Sequence, residues 1–395
     1  CTPGQQLPVD HMKAVVLDGE WNPRPEYELS ERERESRTAM DGSSVWQHPT
    51  VGLAERDRPE PGPHDVLVRV RYAGICGSDL SLTGAGEDGY THYSAYAGLP
   101  NVIGHEFSGE VVDTGDDVLG FEAGDFVTAE VTDYCGRCHL CKQGFHGHCT
   151  NFEQLGFTMP GAFAEYVVVP EKILWDIGPL WDAYDTEEAV LKAGATVEPA
   201  TISYYGLFGR AEGVMPGDYH VYQGVGPIGL TGMNVSRAAG AGKVIGFEPS
   251  AERRAVAAQL GFDHVYDPIE TDPAETIDEL TNGEGADVHV ETAGAVTQTY
   301  PVIEASLAER ANVVHISNAT ADPSVALRTY QGRSAQLYGS EGHTGQQVFP
   351  GVIRLMASGR LDNLPLVTST FDLSEAPRAI ERARERVDGK VLIEV

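Results

Sequence analysis

The chain has little positive charge and little cysteine. Of its 395 residues 59 are acidic and 28 basic, a formal charge of -31, and only six of the basic residues are lysine. A surface of that sign repels nucleic acid and anionic membrane, so neither is expected as a partner. A cavity with its own positive patch can still receive an anionic cofactor. The acidic excess fits a salt-rich cytoplasm, although a GC-rich genome would also favour arginine over lysine. Six cysteines are few for this length. Four of them cluster, Cys76 stands apart and Cys1 lies on the terminus. That usage fits a reducing compartment, and the cytoplasm is the expected location. No apolar run approaches the roughly eighteen residues a membrane helix needs. Residues 1–11 lack a charged segment followed by an apolar one, so no secretory leader is expected, and Met12 reads as a natural beginning.

The length allows a large core and predicts two domains. Short strand-like runs with glycine punctuation fill the first part, at 12–17, 66–72, 110–118, 124–129 and 161–169. Between the first two lies a polar stretch, 19–57, which reads as irregular. Its charged run at 30–37 suggests a solvated helical turn or a mobile insertion. The period then changes. Helices are predicted at 185–195, 200–210, 230–239 and 251–260, with strands at 218–223, 243–247, 265–266, 287–292 and 311–316. Such alternation predicts a parallel sheet covered by helices on both faces. A strand from 336, a helix at 347–358 and a last strand at 391–395 follow. The last strand is expected to return to the first domain.

Cys135, Cys138, Cys141 and Cys149 are separated by two, two and seven residues. Four thiolates at such spacing can surround one zinc ion, and Gly136, Gly144 and Gly147 free the loop to turn. Two disulfides are the alternative, but close Cys-x-x-Cys pairs in an otherwise cysteine-poor chain favour the metal. A four-thiolate site is closed, so the reaction centre must lie elsewhere.

Gly224-x-Gly226-x-x-Gly229 follows a predicted strand, opens a helix through Pro227 and Ile228, and precedes a strand capped by Glu248 about twenty residues on. The glycines permit a tight turn, close approach of a pyrophosphate and close helix packing. Glu248 suits the ribose hydroxyls of NAD and would repel a 2'-phosphate, so NAD is favoured over NADP. Arg253 and Arg254 lie close enough to weaken that preference.

Cys76, His105, Glu106 and Glu198 are candidate ligands of an open zinc site, because thiolate, imidazole and carboxylate suit zinc and leave a position free. Each alone has a plainer explanation, such as a buried thiol, a core histidine or a helix cap. Gly104-His105-Glu106-x-x-Gly109, continued by Gly115 and Val118, resembles the zinc signature of the medium-chain alcohol dehydrogenase family. Cys76-Gly-Ser78-Asp79, the cysteine lobe, Glu198-Pro199 and the glycine loop extend the resemblance from Met12 to Val395, apart from an insertion at about 19–55. Within the family the chain looks like the polyol branch of sorbitol, butanediol and threonine dehydrogenases.

The resemblance implies an α/β protein: a GroES-like β-rich catalytic domain at 12–195 with a structural zinc lobe at 135–149, a Rossmann NAD-binding domain at 196–337, and a return to the first domain at 338–395. It implies two zinc ions per subunit, a small-molecule alcohol substrate and a homotetramer, with a dimer as the alternative. Cys76 and His105 carry over as ligands, and Glu106 and Glu198 as variable carboxylate positions, either one ligating or exchanging with water. Ser78 carries over as a hydroxyl relay and Asp79 as support for the ligand shell. His92 is a second candidate relay, and Tyr90, Tyr93 and Tyr96 are candidates for the substrate entrance. The expected reaction is NAD-dependent oxidation of a secondary alcohol on a polyol, sugar or cyclitol. Threonine, butanediol and glucose 1-dehydrogenases are the alternatives within the family, and a non-catalytic NAD-binding protein is the alternative outside it.

Overall fold

The computed structural model describes residues 11–319, 321–345 and 347–395. Cys1 and the terminal residues before His11 lie outside these. Strand β1 (His11–Trp21) is followed by helix α1 (Glu31–Ser36), strand β2 (Thr38–Ala39) and strand β3 (Trp46–Asp57). β3 runs back along β1 from Trp21↔Trp46 to His11↔Asp57. The stretch 19–57 is therefore ordered, against the expectation of an irregular one. Its polar residues mask a hairpin whose two faces are unequally covered, and Trp21 packs edge-on to Trp46 with ring centroids 5.0 Å apart. The charged run at 30–37 forms α1 because Ser30 and Glu33 cap it reciprocally, which satisfies two otherwise unpaired N–H groups.

The chain continues through β4 (Asp65–Gly74), α2 (Gly77–Thr83), β5 (Ala97–Gly98), β6 (Asn101–Val102), β7 (Glu106–Thr114) and β8 (Phe126–Ala129). A clip of β9 (Thr132–Asp133) and β10 (Glu153–Gln154) brackets the cysteine lobe, and β11 (Tyr166–Pro170) and β12 (Leu174–Asp176) follow. β12, β8, β7 and β4 lie side by side, and β11 also pairs with β4. Their inward side chains, among them Val68, Phe107, Val127 and Val167, form one core.

Helices α3 (Glu187–Gly194) and α4 (Val197–Tyr204) lead into the second sheet. That sheet takes β13 (Tyr219–Gln223), α5 (Pro227–Ala238), β14 (Lys243–Phe247), α6 (Ala251–Gln259) and β15 (Val265–Tyr266). It continues with α7 (Pro273–Leu280), β16 (Ala286–Glu291), α8 (Val296–Ala305), β17 (Leu307–His315), α9 (Leu327–Arg333) and β18 (Gln336–Gly339). The six strands are parallel in the order β15-β14-β13-β16-β17-β18. Successive connections run one way from β13 to β15 and the other way from β16 to β18. The crevice where the direction changes is the usual ligand position in such sheets, and the glycine loop begins there.

Helix α10 (Val348–Ala357), β19 (Val367–Asp372), α11 (Ala376–Arg384) and β20 (Lys390–Glu394) close the chain. β20 pairs with β4, so the last strand does return to the first sheet. The return starts later than the expected residue 338. β18 crosses that point while still bonded to β17 up to His315↔Gly339. Phe349, Val352 and Met356 of α10 share a core with Tyr222 and Leu230 of the second sheet. Pairing with the first sheet resumes only at β19 and β20.

Candidate active site

Where β4 ends, the chain turns into α2 with Cys76 as its N-cap. Asp79 accepts the Cys76 backbone N–H at 2.9 Å, so the first helical turn fixes the thiol. Gly104 precedes β7 at φ +92°, where a side chain would collide with Phe163. That turn places His105 and Glu106 at the start of β7, beside Cys76. A ligating atom from each of Cys76, His105 and Glu106 lies within 4.8 Å of the others. Asp79 Oδ1 is 3.6 Å from His105 Nδ1, which leaves Nε2 for the cluster, and Ser78 Oγ is 3.4 Å from that Nε2. Burial opposes charge on His105, but Asp79 and Cys76 outweigh it and raise its pKa to about 10. Burial also raises Asp79. A pocket with this many anionic groups draws positive charge. Glu106 Oε1 is buried without a hydrogen-bond partner. Donor chemistry, convergence and charge all fit a zinc ion with room for a further ligand.

Glu198 stands beside this trio rather than in it. It sits in the first turn of α4, just ahead of Pro199, where a missing N–H costs nothing. Its Oε1 pairs with His343 Nε2 at 3.0 Å, and both side chains are buried. Burial raises the Glu198 pKa, but the bond from His343 and its charge outweigh burial and lower it. Glu106 has its own partner, Lys390 of β20, whose Nζ pairs with Oε2 and donates to Ile75 O at 3.0 Å. Burial disfavours the Lys390 charge, but Glu106 more than offsets it and the pKa rises. Sequence reading missed both His343 and Lys390. Neither belongs to a local motif, and the signal on offer was that lysine is rare and one opens an apolar strand.

Among the described residues no cysteine is in a disulfide. The Sγ atoms of Cys135, Cys138, Cys141 and Cys149 converge within 4.8 Å of one another. The Cys135 N–H donates to Cys149 Sγ at 3.2 Å, and the Cys138 and Cys141 N–H groups donate to Cys135 and Cys138 Sγ at 3.4 Å each. Such backbone donors lower Cys135 and take Cys138 down to about 5, whereas burial and the neighbouring thiols push Cys141 up to about 12. Four converging sulfurs with thiolate-stabilising donors fit one closed zinc site better than two disulfides.

In the glycine loop, Gly224 holds φ +95° and a Cβ there would meet Ala293 at 2.9 Å. Gly226 is the N-cap of α5, which opens with Pro227 and Ile228. A Cβ on Gly229 would lie 2.2 Å from Gly224 O. Glu248 follows β14 and accepts from Val225 N at 2.9 Å and Ser250 N at 3.0 Å, so its carboxylate lies against the turn. The two nearby arginines part company. The Arg253 guanidinium approaches within 3.3 Å of the Cβ position at Gly226, whereas Arg254 pairs with Asp267 at 3.0 Å. A cation and the N–H groups of a helix start beside a glycine-rich turn fit a dinucleotide pyrophosphate. Helix α4, which bears Glu198, is bonded to this loop: Ser203 Oγ donates to Ile228 O at 3.0 Å and Thr231 Oγ1 to Pro199 O at 3.3 Å.

Of the remaining candidates, His92 is exposed and lies against Gly84 and Gly86. Tyr93 stacks on Phe157, whose ring centroid is 4.9 Å from that of His105. Tyr96 packs on Phe152, and Tyr90 lies under Arg24. Among the described residues no helix is long and apolar enough to cross a membrane.

A closed four-sulfur lobe, an open mixed-ligand cluster and a dinucleotide turn together define a zinc-dependent dehydrogenase. Residues 62–179 match the alcohol dehydrogenase GroES-like domain, and residues 227–358 match the zinc-binding dehydrogenase domain. Scyllo-inosose 3-dehydrogenase of Thermotoga maritima is 40% identical over 94% of this chain and 96% of its own. L-threonine 3-dehydrogenase of Pyrococcus furiosus is 31% identical over 86% of this chain and 94% of its own. A solved structure titled as an alcohol dehydrogenase of Thermotoga maritima superposes with TM-score 0.93 at 38% identity, covering 97% of this chain and 100% of that one. The chain belongs to the polyol branch of the zinc-dependent medium-chain dehydrogenase family. It is an oxidoreductase, with zinc and a nicotinamide dinucleotide as its cofactors.

Proposed function

We propose that the protein oxidises a secondary hydroxyl of a cyclitol, with other polyols as the wider substrate class, and passes the hydride to NAD. The observation that carries this reading is the convergence of Cys76, His105 and Glu106 on one point, in a chain whose glycine loop is bonded to α4, the helix that bears Glu198. The 40% identity to scyllo-inosose 3-dehydrogenase supports the substrate class. Cys76, His105 and Glu106 would hold the catalytic zinc, and Cys135, Cys138, Cys141 and Cys149 the structural one. When bound, the open-site zinc supplies Lewis acidity toward the substrate oxygen and the nicotinamide supplies the hydride acceptor. Asp79 holds the Cys76 backbone and the His105 ring in place. Ser78, beside His105 Nε2 and half-exposed, would accept the substrate's hydroxyl proton while passing its own proton on to solvent. Glu198, steadied by His343, presents a carboxylate to the remaining hydroxyls. Gly224, Gly226, Pro227, Ile228 and Gly229 receive the pyrophosphate with Arg253, and Glu248 accepts from the ribose and disfavours a 2'-phosphate.

We assign 12–195 to the GroES-like domain and the stretch from 196 to the start of β19 to the nucleotide-binding domain, with the crossing back at β19 rather than at 338. We also assign the enzyme to the cytoplasm, a reducing compartment in which its cysteine ligands stay available to zinc. A homotetramer is the proposed assembly, and Leu337, 44% exposed on the edge strand β18, offers a subunit contact; light scattering tests it. The substrate reading is tested by NAD and NADP reduction over myo-inositol, other cyclitols, sorbitol, glucose, butanediol and threonine, at low and high salt. Reduction of NAD by a cyclitol is expected. A rate confined to threonine would favour the alternative suggested by the Pyrococcus furiosus relative.

A further inference from the structure

The excursion between β1 and β3 is the largest feature that the chemistry above leaves unused. It does not hang free. β2 pairs with β5 through Thr38↔Gly98 and Ala39↔Ala97. The Gly42 N–H donates to Ala95 O at 2.9 Å, and just beyond the excursion, at the start of β3, Trp46 Nε1 donates to Ala97 O at 3.1 Å. Arg24 Nη2 holds Asp88 at 2.5 Å. The Tyr96 hydroxyl lies 3.1 Å from both Arg32 and Thr38. Every one of these contacts lands on the segment 84–98, which links α2 to the strands before His105.

That segment meets Phe157, the ring beside His105, through the Gly98 N–H, which donates to Phe157 O at 2.9 Å, and through Tyr93. Tyr93 is buried and stacks on Phe157 at 5.0 Å and 12°, and Phe157 in turn packs on the His105 ring. The excursion itself is organised around Glu33, 4% exposed. This carboxylate accepts from Tyr27 Oη at 2.7 Å, Ser30 N at 2.8 Å, Ser30 Oγ at 2.6 Å and Met40 N at 2.9 Å. It thereby closes residues 30–40 into a rigid loop that presents β2 to β5. Glu33 makes no hydrogen bond of its own to 84–98.

We propose that residues 22–45 form a specificity clamp. They hold the 84–98 segment against the site so that Tyr93 forms a fixed wall of the substrate pocket, which favours a polyhydroxylated ring over a small alcohol. The physical reason is preorganisation. A wall that is already ordered removes an entropic cost from binding a substrate large enough to touch it, whereas a small alcohol held only at the metal gains nothing from it. Glu33 is a positioning residue in this scheme and Tyr93 the specificity-determining one. The substrate half of the inference rests on the cyclitol reading above; the clamp half does not.

The test uses the full-length enzyme and its Glu33→Ala and Glu33→Gln variants. Hydrogen exchange reads the clamp without any substrate. Amides in 86–98 should exchange about tenfold faster in Glu33→Ala, with Glu33→Gln, which keeps one acceptor oxygen, in between. Faster exchange at 30–40 with 86–98 unchanged would overturn the clamp. Kinetics then reads specificity: KM for myo-inositol should rise about tenfold while kcat stays within about twofold, and kcat/KM for 2-propanol should hold. An equal fall for both substrates would reduce the excursion to a purely structural role and overturn the proposal. If the wild-type enzyme turned over no cyclitol, the substrate reading would fail, and the exchange experiment would still decide the clamp.

Discussion

Lys390→Met removes the ammonium that faces Glu106 while keeping a side chain of similar length. Both groups are almost wholly buried, at 3% and 0% side-chain exposure, and Lys390 also donates to Ile75 O, next to Cys76. Stranding one partner of such a pair costs about 3–5 kcal/mol. An unfolding entropy of about 2.1 cal/mol/K per residue gives roughly 0.8 kcal/mol/K for a chain of this length, so the metal-free variant should melt about 4–6 °C below the metal-free wild type. Zinc changes the balance. The reading gives Glu106 a second cation there, so the zinc-loaded variant should lose less than half as much. The assay is thermal unfolding of both proteins, each with and without chelator, at constant ionic strength. Equal losses with and without zinc would mean that Glu106 does not face the metal, and the ligand trio would have to be redrawn.

Three further outcomes follow from the same geometry. Cys149→Ser should lower the melting temperature and release one zinc per chain while leaving NAD affinity, read by fluorescence titration, within about twofold; unchanged zinc content would refute the closed lobe. Glu248→Ser should raise kcat/KM with NADP relative to NAD by at least about tenfold, because it removes the charge that opposes a 2'-phosphate beside Arg253; an unchanged ratio would remove Glu248 from that role. His220 and His289 are both buried in the second sheet, and burial lowers each to about 4. The unfolded chain binds protons to them near pH 6.5, so their contribution is complete above that pH and falls as pH drops from about 6.5 toward 4. Each should cost about 2 kcal/mol by pH 5. Guanidinium midpoints should decline over that window and decline less in His220→Gln; parallel curves would contradict the assignment.

Much of the fold was legible because the second sheet alternates period so regularly. The strand at 243–247 and the glycine loop stood in the sequence, while the return of the last strand to the first sheet was an expectation that composition alone does not establish and that the pairing of β20 with β4 bears out. The β1–β3 hairpin did not. Its second strand contains Pro49 and a positive φ at His48, and only Trp46 in it is buried, the rest being half-buried or exposed, so no apolar face marks it in the sequence. The candidate site divides in the same way. Cys76, His105 and Glu106 sit at turns whose glycines announce them. Lys390 and His343 reach the carboxylates only through tertiary packing, and a lone lysine or histidine carries no spacing to read. Glu198 illustrates the consequence: its sequence position made it a candidate ligand, but the partner that holds it beside the trio was invisible until the chain was folded.

The most direct test of the central claim is the fate of the carbinol hydrogen. myo-Inositol deuterated on its ring carbons would be turned over with NAD, and the NADH formed would be analysed by mass spectrometry. Hydride transfer from a cyclitol carbon predicts NADH carrying one deuterium at C4 of the nicotinamide. Unlabelled NADH, or no NADH with both zinc sites filled, would contradict it.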